Sequence, residues 1–143
     1  MIHVKRKSVV SYTPKQMYDL VNDVDNYKVF IPYCSDSKVL SQSENVMVAY
    51  LTFSLGPMQQ TFTTENTLIP NSRIDLKLQS GPFKSLSGYW AFKPVGQGTA
   101  IEMDIKFDII ASTAGWVIKP ILHSTIDKLV DTFTQRARVV YGQ

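Results

Sequence analysis

Between Ile118 and Val140 the apolar residues Ile118, Leu122, Ile126, Leu129, Phe133, Ala137 and Val140 recur every third or fourth position, which places them on one face of an α-helix. Ile121 and Val130 widen the stripe, and Asp127, Lys128, Asp131, Gln135, Arg136 and Arg138 take the opposite side. A helix of this length with one apolar face cannot stand alone; the rest of the chain has to supply a broad apolar surface for it to lie on. Ser112 or Thr113 is the expected N-cap and Gly142 the expected stop. Pro120 falls inside the pattern, where a proline removes a backbone hydrogen bond and crowds the preceding turn. The spacing therefore predicts a kink there, or a short first helix ending near Ile118 and a main helix starting at Pro120.

The remaining residues read as a sheet. Ile2 to Ser11 is a first strand, with Lys5 and Lys7 facing away from Val4 and Val10. Thr13-Pro14-Lys15-Gln16 follows as N-cap, proline at the first helical position and Gln three residues after the cap. Met17, Leu20, Val21 and Val24 share a face, but Asn22-Asp23 and Asp25-Asn26 interrupt it, so two short helices in series are expected. Phe30-Ile31-Pro32-Tyr33 forms an apolar hinge into a strand from Cys34 to Leu40. Strands then follow at regular intervals: Met47 to Ser54, Thr61 to Leu68, Arg73 to Gln79, one with Leu86, Gly88, Trp90 and Phe92 inward, and Ile101 to Asp108. Turn chemistry separates them at Gly56-Pro57, Pro70-Asn71-Ser72, Ser80-Gly81-Pro82-Phe83 and Pro94 to Gly98. The last strand alternates most cleanly, with Ile101, Met103, Ile105 and Phe107 against Glu102, Asp104, Lys106 and Asp108.

Consecutive strands joined by short turns pair antiparallel, and apolar residues on one face only mean that one side is covered. The expected fold is α+β: a curved antiparallel sheet of about seven strands wrapped around a long C-terminal helix, with two short helices after the first strand. This is the helix-grip arrangement, in which an apolar cavity can remain between sheet and helix. A chain of 143 residues, 44% hydrophobic, is of a size for one domain, residues 1–143. Its net charge of +3 falls short of a dedicated nucleic-acid module, and no DNA partner is expected. One cysteine, Cys34, excludes an internal disulfide framework and a multi-cysteine metal site. Met1 to Lys7 has no apolar run of signal-peptide length and no stretch approaches a membrane span, so a cytoplasmic location is expected.

Several separated motifs resemble one family. They are Tyr12 to Val24, then Tyr27 with Phe30-Ile31-Pro32-Tyr33-Cys34, then Gly81-Pro82-Phe83-Lys84 with Gly88-Tyr89-Trp90-Ala91-Phe92, and finally Phe133 to Tyr141. Together they are similar to the bacterial RatA branch of the START-like superfamily, of polyketide cyclase type and Bet v 1-like fold, and to the mitochondrial coenzyme Q-binding proteins. The resemblance implies a helix-grip domain with a hydrophobic tunnel. In the coenzyme Q branch it implies binding of a ubiquinone-type lipid in support of respiration. In the RatA branch it implies toxin-like association with the large ribosomal subunit that blocks subunit joining.

The candidate ligand wall follows from the inward positions. The hinge offers Phe30 and Ile31, and the strands offer Leu51, Phe53, Phe62, Thr64, Asn66, Leu76, Phe83, Trp90, Phe92 and Ile105. The helix offers Leu122, Ile126, Leu129 and Phe133. Thr64 and Asn66 are the polar members; they bond each other or a water, or they orient the polar head of an otherwise apolar ligand. Glu102, Asp104 and Asp108 have the parity of the solvated face, with Lys106 in their row. His123 and His3 lack placed partners, and Cys34 has no neighbour in sequence to lower its pKa, so it reads as a small buried residue. No catalytic or metal-ligating set emerges and no cofactor is required, beyond a bound ubiquinone-like lipid. The expected function is nonenzymatic binding of a hydrophobic isoprenoid. The alternative is ribosome association, for which Lys5, Arg6, Lys7, Lys77, Lys93, Arg136 and Arg138 are candidate contacts; a cyclase-type enzyme is the third reading.

Overall fold

The computed structural model describes residues 1–110 and 113–142. The element order is β1 (Ile2–Val10), α1 (Pro14–Asn22), a 3-10 turn (Val24–Asn26), α2 (Tyr27–Phe30), β2 (Cys34–Gln42), β3 (Val46–Leu55), β4 (Met58–Ile69), β5 (Arg73–Ser80), β6 (Phe83–Val95), β7 (Gly98–Ile109), α3 (Thr113–Asp127) and α4 (Leu129–Tyr141). The strands form one antiparallel sheet in the order β1-β7-β6-β5-β4-β3-β2. The chain must therefore travel from one edge of the sheet to the other between β1 and β2. It does so through α1 and α2, which cross the open side of the sheet.

Local chemistry sets these crossings. Thr13 Oγ1 accepts from the Gln16 N–H at 3.1 Å while the Gln16 side chain accepts from the Thr13 N–H at 2.9 Å, a complete capping box with Pro14 just inside it. Met17, Tyr18, Leu20 and Val21 are the buried side of α1. The turn and α2 then close the free edge of β2. Asp25 Oδ1 accepts from the Val39 N–H at 2.8 Å, and the Lys28 ammonium donates to the Ser37 carbonyl at 2.8 Å. An edge strand with its backbone groups occupied in this way cannot pair with another chain at those positions.

The sheet bends where the sequence places Gly81. That glycine has φ of 146°, and a Cβ on it would lie 2.5 Å from the Phe62 Cβ. Pairing shifts register nearby, between Thr63 and Thr64 against β5 and between Phe83 and Ser85 against β7, and such bulges increase local twist and bend. β6 continues through Pro94 and Val95, so the turn before β7 is Gly96-Gln97 rather than Pro94 to Gly98.

The C-terminal stripe forms as two helices, and the bend is not at the proline. Pro120 lies inside α3 on its exposed side, where water can solvate the carbonyl left without a partner. The break is at Lys128, whose N–H reaches the Ser124 and Thr125 carbonyls equally, both at 3.3 Å. Its φ of −102° and ψ of 5° depart from helical geometry. This redirection lets Leu122 and Ile126 face the sheet from α3 while Val130, Phe133 and Ala137 are buried from α4. Val140, expected on the buried stripe, is 48% exposed, because the last turn of α4 is held through aromatic side chains instead. Tyr141 Oη donates to the Gln16 carbonyl at 2.9 Å, and Tyr12 Oη donates to the Gly142 carbonyl at 2.5 Å. Gly142, at φ of 81°, ends the helix as expected. The cap expected at Ser112 or Thr113 lies outside the described residues and side chains. Among the described residues no helix is long and apolar enough to cross a membrane.

Candidate functional site

The space left between the inner face of the sheet and α3 is an apolar cavity of about 100 Å³. Its walls come from four directions. Val21, Asn22, Val24, Tyr27 and Ile31 close the side crossed by α1 and α2. Ala49, Leu51 and Phe53 from β3 and Phe62, Thr64 and Asn66 from β4 form the floor with Ile74 and Leu76 of β5. Leu86, Ser87, Trp90 and Ile105 complete it on β6 and β7, and Leu122, Thr125, Ile126 and Leu129 are the roof.

Twelve of the sixteen residues selected by parity line this space; the four that do not are all phenylalanines. Phe83 borders a smaller apolar pocket of about 10 Å³ that shares Phe53, Phe62 and Leu122 with the first. Phe30, Phe92 and Phe133 stand one layer behind the wall. The Phe133 ring has centroid distances of 5.4 Å to each of Tyr27, Phe30 and Trp90, and Phe92 packs between Tyr18 and Trp90 at 6.0 and 6.3 Å. Among the residues not selected, Ala49 and Ile74 share the parity of Leu51 and Leu76, so alternation could have found them. Asn22 and Tyr27 carry no such signal, because they reach the cavity from the helical crossing.

The polar groups are few and placed. Thr64 Oγ1 donates to Asn66 Oδ1 at 2.9 Å, which leaves the amide N–H groups of Asn66 as its donors; Asn66 is 5% exposed. Thr125 is buried in the roof. Asn22 Oδ1 is buried with no hydrogen-bond partner among the described residues, a state that costs free energy until a donor meets it. Tyr27 is the one ionisable group in the wall. Burial holds its phenol neutral far above the ordinary tyrosine range, and Oη donates to the Val21 carbonyl.

The other candidates for chemistry lie elsewhere. Glu102 and Asp104 are on the outer face: Tyr89 Oη donates to Glu102 at 2.6 Å and holds its carboxyl below the usual range, and His3 Nε2 is 2.8 Å from Asp104. His123 is exposed on α3, its ring 6.3 Å from that of Phe107. Cys34 is 6% exposed and its thiol is pushed up to about 11 by burial. The folded protein thus keeps this proton where the unfolded chain releases it, so stability falls as pH rises from 9.0 to about 11. Denaturant midpoints measured across that window should decline more in the wild type than in Cys34→Ala, and equal slopes would refute a buried neutral thiol.

The geometry meets its relatives at this point. Residues 10–134 match the family described as polyketide cyclase / dehydrase and lipid transport. The chain is 39% identical to the ribosome association toxin RatA of Pseudomonas aeruginosa over 98% of each chain. It is 29% identical to the mitochondrial coenzyme Q-binding protein COQ10 homolog B of Xenopus laevis, over 99% of this chain and 60% of that one. The crystal structure of the Zhui aromatase/cyclase from Streptomyces sp. R1128 superposes with a TM-score of 0.80 over 96% of this chain and 95% of the other, at 16% identity, a likeness of fold alone.

Proposed function

The chain belongs to the polyketide cyclase / dehydrase and lipid transport family, and from its cavity we propose that it is a nonenzymatic binder of a ring-headed isoprenoid of the ubiquinone type. The observation that carries this reading is an apolar cavity with the Thr64–Asn66 pair and Asn22 in its wall. A ring oxygen would accept from the Asn66 amide, and in the reduced, quinol form a ring hydroxyl would donate to Asn22 Oδ1. The volume of about 100 Å³ takes at most part of a ring head and is below the roughly 300–1,000 Å³ of pockets that enclose whole drug-sized ligands. The isoprenoid tail therefore lies outside the cavity. Such a carrier would support respiration by holding the quinone away from water. An enzymatic role is disfavoured because, among the described residues, the wall contains no carboxylate, histidine, lysine or thiol, and its phenol is committed to a carbonyl.

Native purification followed by organic extraction and mass spectrometry tests the proposal. A quinone recovered at near one per chain, or taken up on incubation with ubiquinone, is the expected result; a chain that stays empty under both conditions sinks it. A second reading, association with the large ribosomal subunit, is favoured by one observation. The Pseudomonas aeruginosa relative, a ribosome association toxin, matches over 98% of both chains. The two readings are compatible.

A further inference from the structure

The outer face of the sheet, which the cavity does not use, contains a depression of about 390 Å³ where β1, β6 and β7 run side by side. Its floor exists because two small residues occupy outward positions: Ala91 stands opposite Glu102, and Ala100 stands between Lys93 on β6 and Val9 on β1. Val9 is 69% exposed, a large apolar side chain among the charged residues Lys7, Lys93 and Glu102.

The charges around this floor are unequal in availability. Glu102 is engaged by the Tyr89 hydroxyl at 2.6 Å and by the Lys5 ammonium at 3.6 Å. The next row repeats the pattern with His3 on Asp104, and Asp75 is held by Arg73 at 3.0 Å. Lys7 and Lys93 both border the depression and both are exposed; Lys7 stands opposite Glu102 and helps hold that carboxyl below its usual range, without an ion pair within 4.0 Å, and Lys93 is in no ion pair among the described residues. Two strand spacings and two residues of rise separate their Cα atoms by about 12 Å, within reach of neighbouring groups on one polyanion. Arg73 stands opposite Ala91 in the register, with its guanidinium 4.0 Å from the centre of the Tyr89 ring, its Nε and one terminal nitrogen donating to the Asp75 carboxylate, and 39% of its side chain exposed.

We propose that this depression is an RNA-binding site, in which Lys7 and Lys93 take phosphates and the Arg73 guanidinium, stiffened by Tyr89, stacks on a base. The combination of two exposed ammonium groups with a planar cation beside an apolar floor matches a phosphodiester chain bearing flat rings. An acidic peptide would satisfy the lysines and leave the plane and the floor unmatched. A membrane surface is too flat to enter a depression. The proposal deepens the ribosome reading by naming where RNA is held.

The test compares the wild type, Lys7→Gln/Lys93→Gln, Arg73→Lys, and a charge-matched control, Lys38→Gln/Lys84→Gln. Two probes are used, a 12-nucleotide single-stranded RNA of mixed sequence and purified large ribosomal subunits, each over a range of salt. Removing two phosphate contacts should lower the slope of log K against log salt by about 1.4 on the oligonucleotide and weaken binding at least tenfold. Arg73→Lys should weaken it about fivefold with the slope unchanged, and the control should retain both affinity and slope. Equal loss in the control, or a wild type that binds neither probe, overturns the proposal. Subunit binding that is unchanged in the lysine variant overturns this site and leaves the ribosome reading standing. Subunit binding that is lost in that variant, without any binding to the oligonucleotide, assigns the lysines to a protein partner and overturns RNA recognition. Oligonucleotide binding with the expected variant effects but no binding to subunits supports the site and removes the ribosome reading. Circular dichroism and unfolding midpoints confirm that each variant folds.

Discussion

Phe133→Ala should lower the stability of the folded chain by about 3–5 kcal/mol, seen as a large drop in urea midpoint. The size follows from position. Phe133 is fully buried, at 0% exposure, and meets Tyr27, Phe30 and Trp90 edge to face at the same centroid distance of 5.4 Å. Each such pair adds stabilisation beyond the area it buries. The three partners come from the 3-10 turn's successor α2 and from β6, so one side chain of α4 joins the helical crossing to the centre of the sheet. Truncation opens a void that the backbone cannot close, because all three neighbours are rings fixed by other contacts; Tyr27, for one, is tied to the Val21 carbonyl. Against a total of about 5–15 kcal/mol for a domain, the loss brings the chain near unfolding. A decline below about 1 kcal/mol would mean that this cluster does not hold α4 in place. Substituting a charged residue here would test folding and say nothing of the cavity one layer away.

What could be read from residue order divides by how local the cause is. The capping box at Thr13 needs only four consecutive residues, and β7 declares itself because Ile101 to Asp108 alternate between core and water. The strand count followed from turn chemistry of the same short range. The bend at Lys128 has no such signature. The apolar spacing runs through residues 126 to 130 without interruption, and the break arises because α3 lies over β3 and β4 while α4 packs on α1 and β1. Pro120 looked like the break because its cost is local, yet its exposed position makes that cost tolerable. Val140 fits the spacing of a stripe that extends past the surface it covers. For the cavity, parity placed the strand residues on the inner face, where each must meet either core or void. It could not separate a ring that touches the void from one that stands behind it, as with Phe92 and Phe133. Nor could it include Asn22 and Tyr27, whose placement depends on the path taken between the two sheet edges.

Ala49→Leu should abolish binding of a ring-headed ligand, weakening uptake of a short-tailed ubiquinone at least 100-fold, while leaving the unfolding midpoint within about 1 kcal/mol of the wild type. Ala49 is 3% exposed, lines the cavity and stands opposite Thr64 in the β3–β4 register. Three added carbons at a tightly packed position would cost about 1–3 kcal/mol through strain. Here they project into existing space, so burial of apolar surface offsets the lost freedom of the longer side chain. The same carbons occupy the volume a ring needs and stand beside the Thr64–Asn66 pair, removing both room and orientation. Because position 49 faces inward and the depression between Lys7 and Lys93 faces outward, RNA binding by this variant should equal that of the wild type. Titration of ubiquinone and of the oligonucleotide on one preparation therefore separates the two faces. Undiminished quinone uptake by a folded Ala49→Leu chain would place the ligand outside this cavity. A fall in stability beyond about 2 kcal/mol would mean that the space beside Ala49 is already filled by packing, and the carrier reading would lose the observation it rests on.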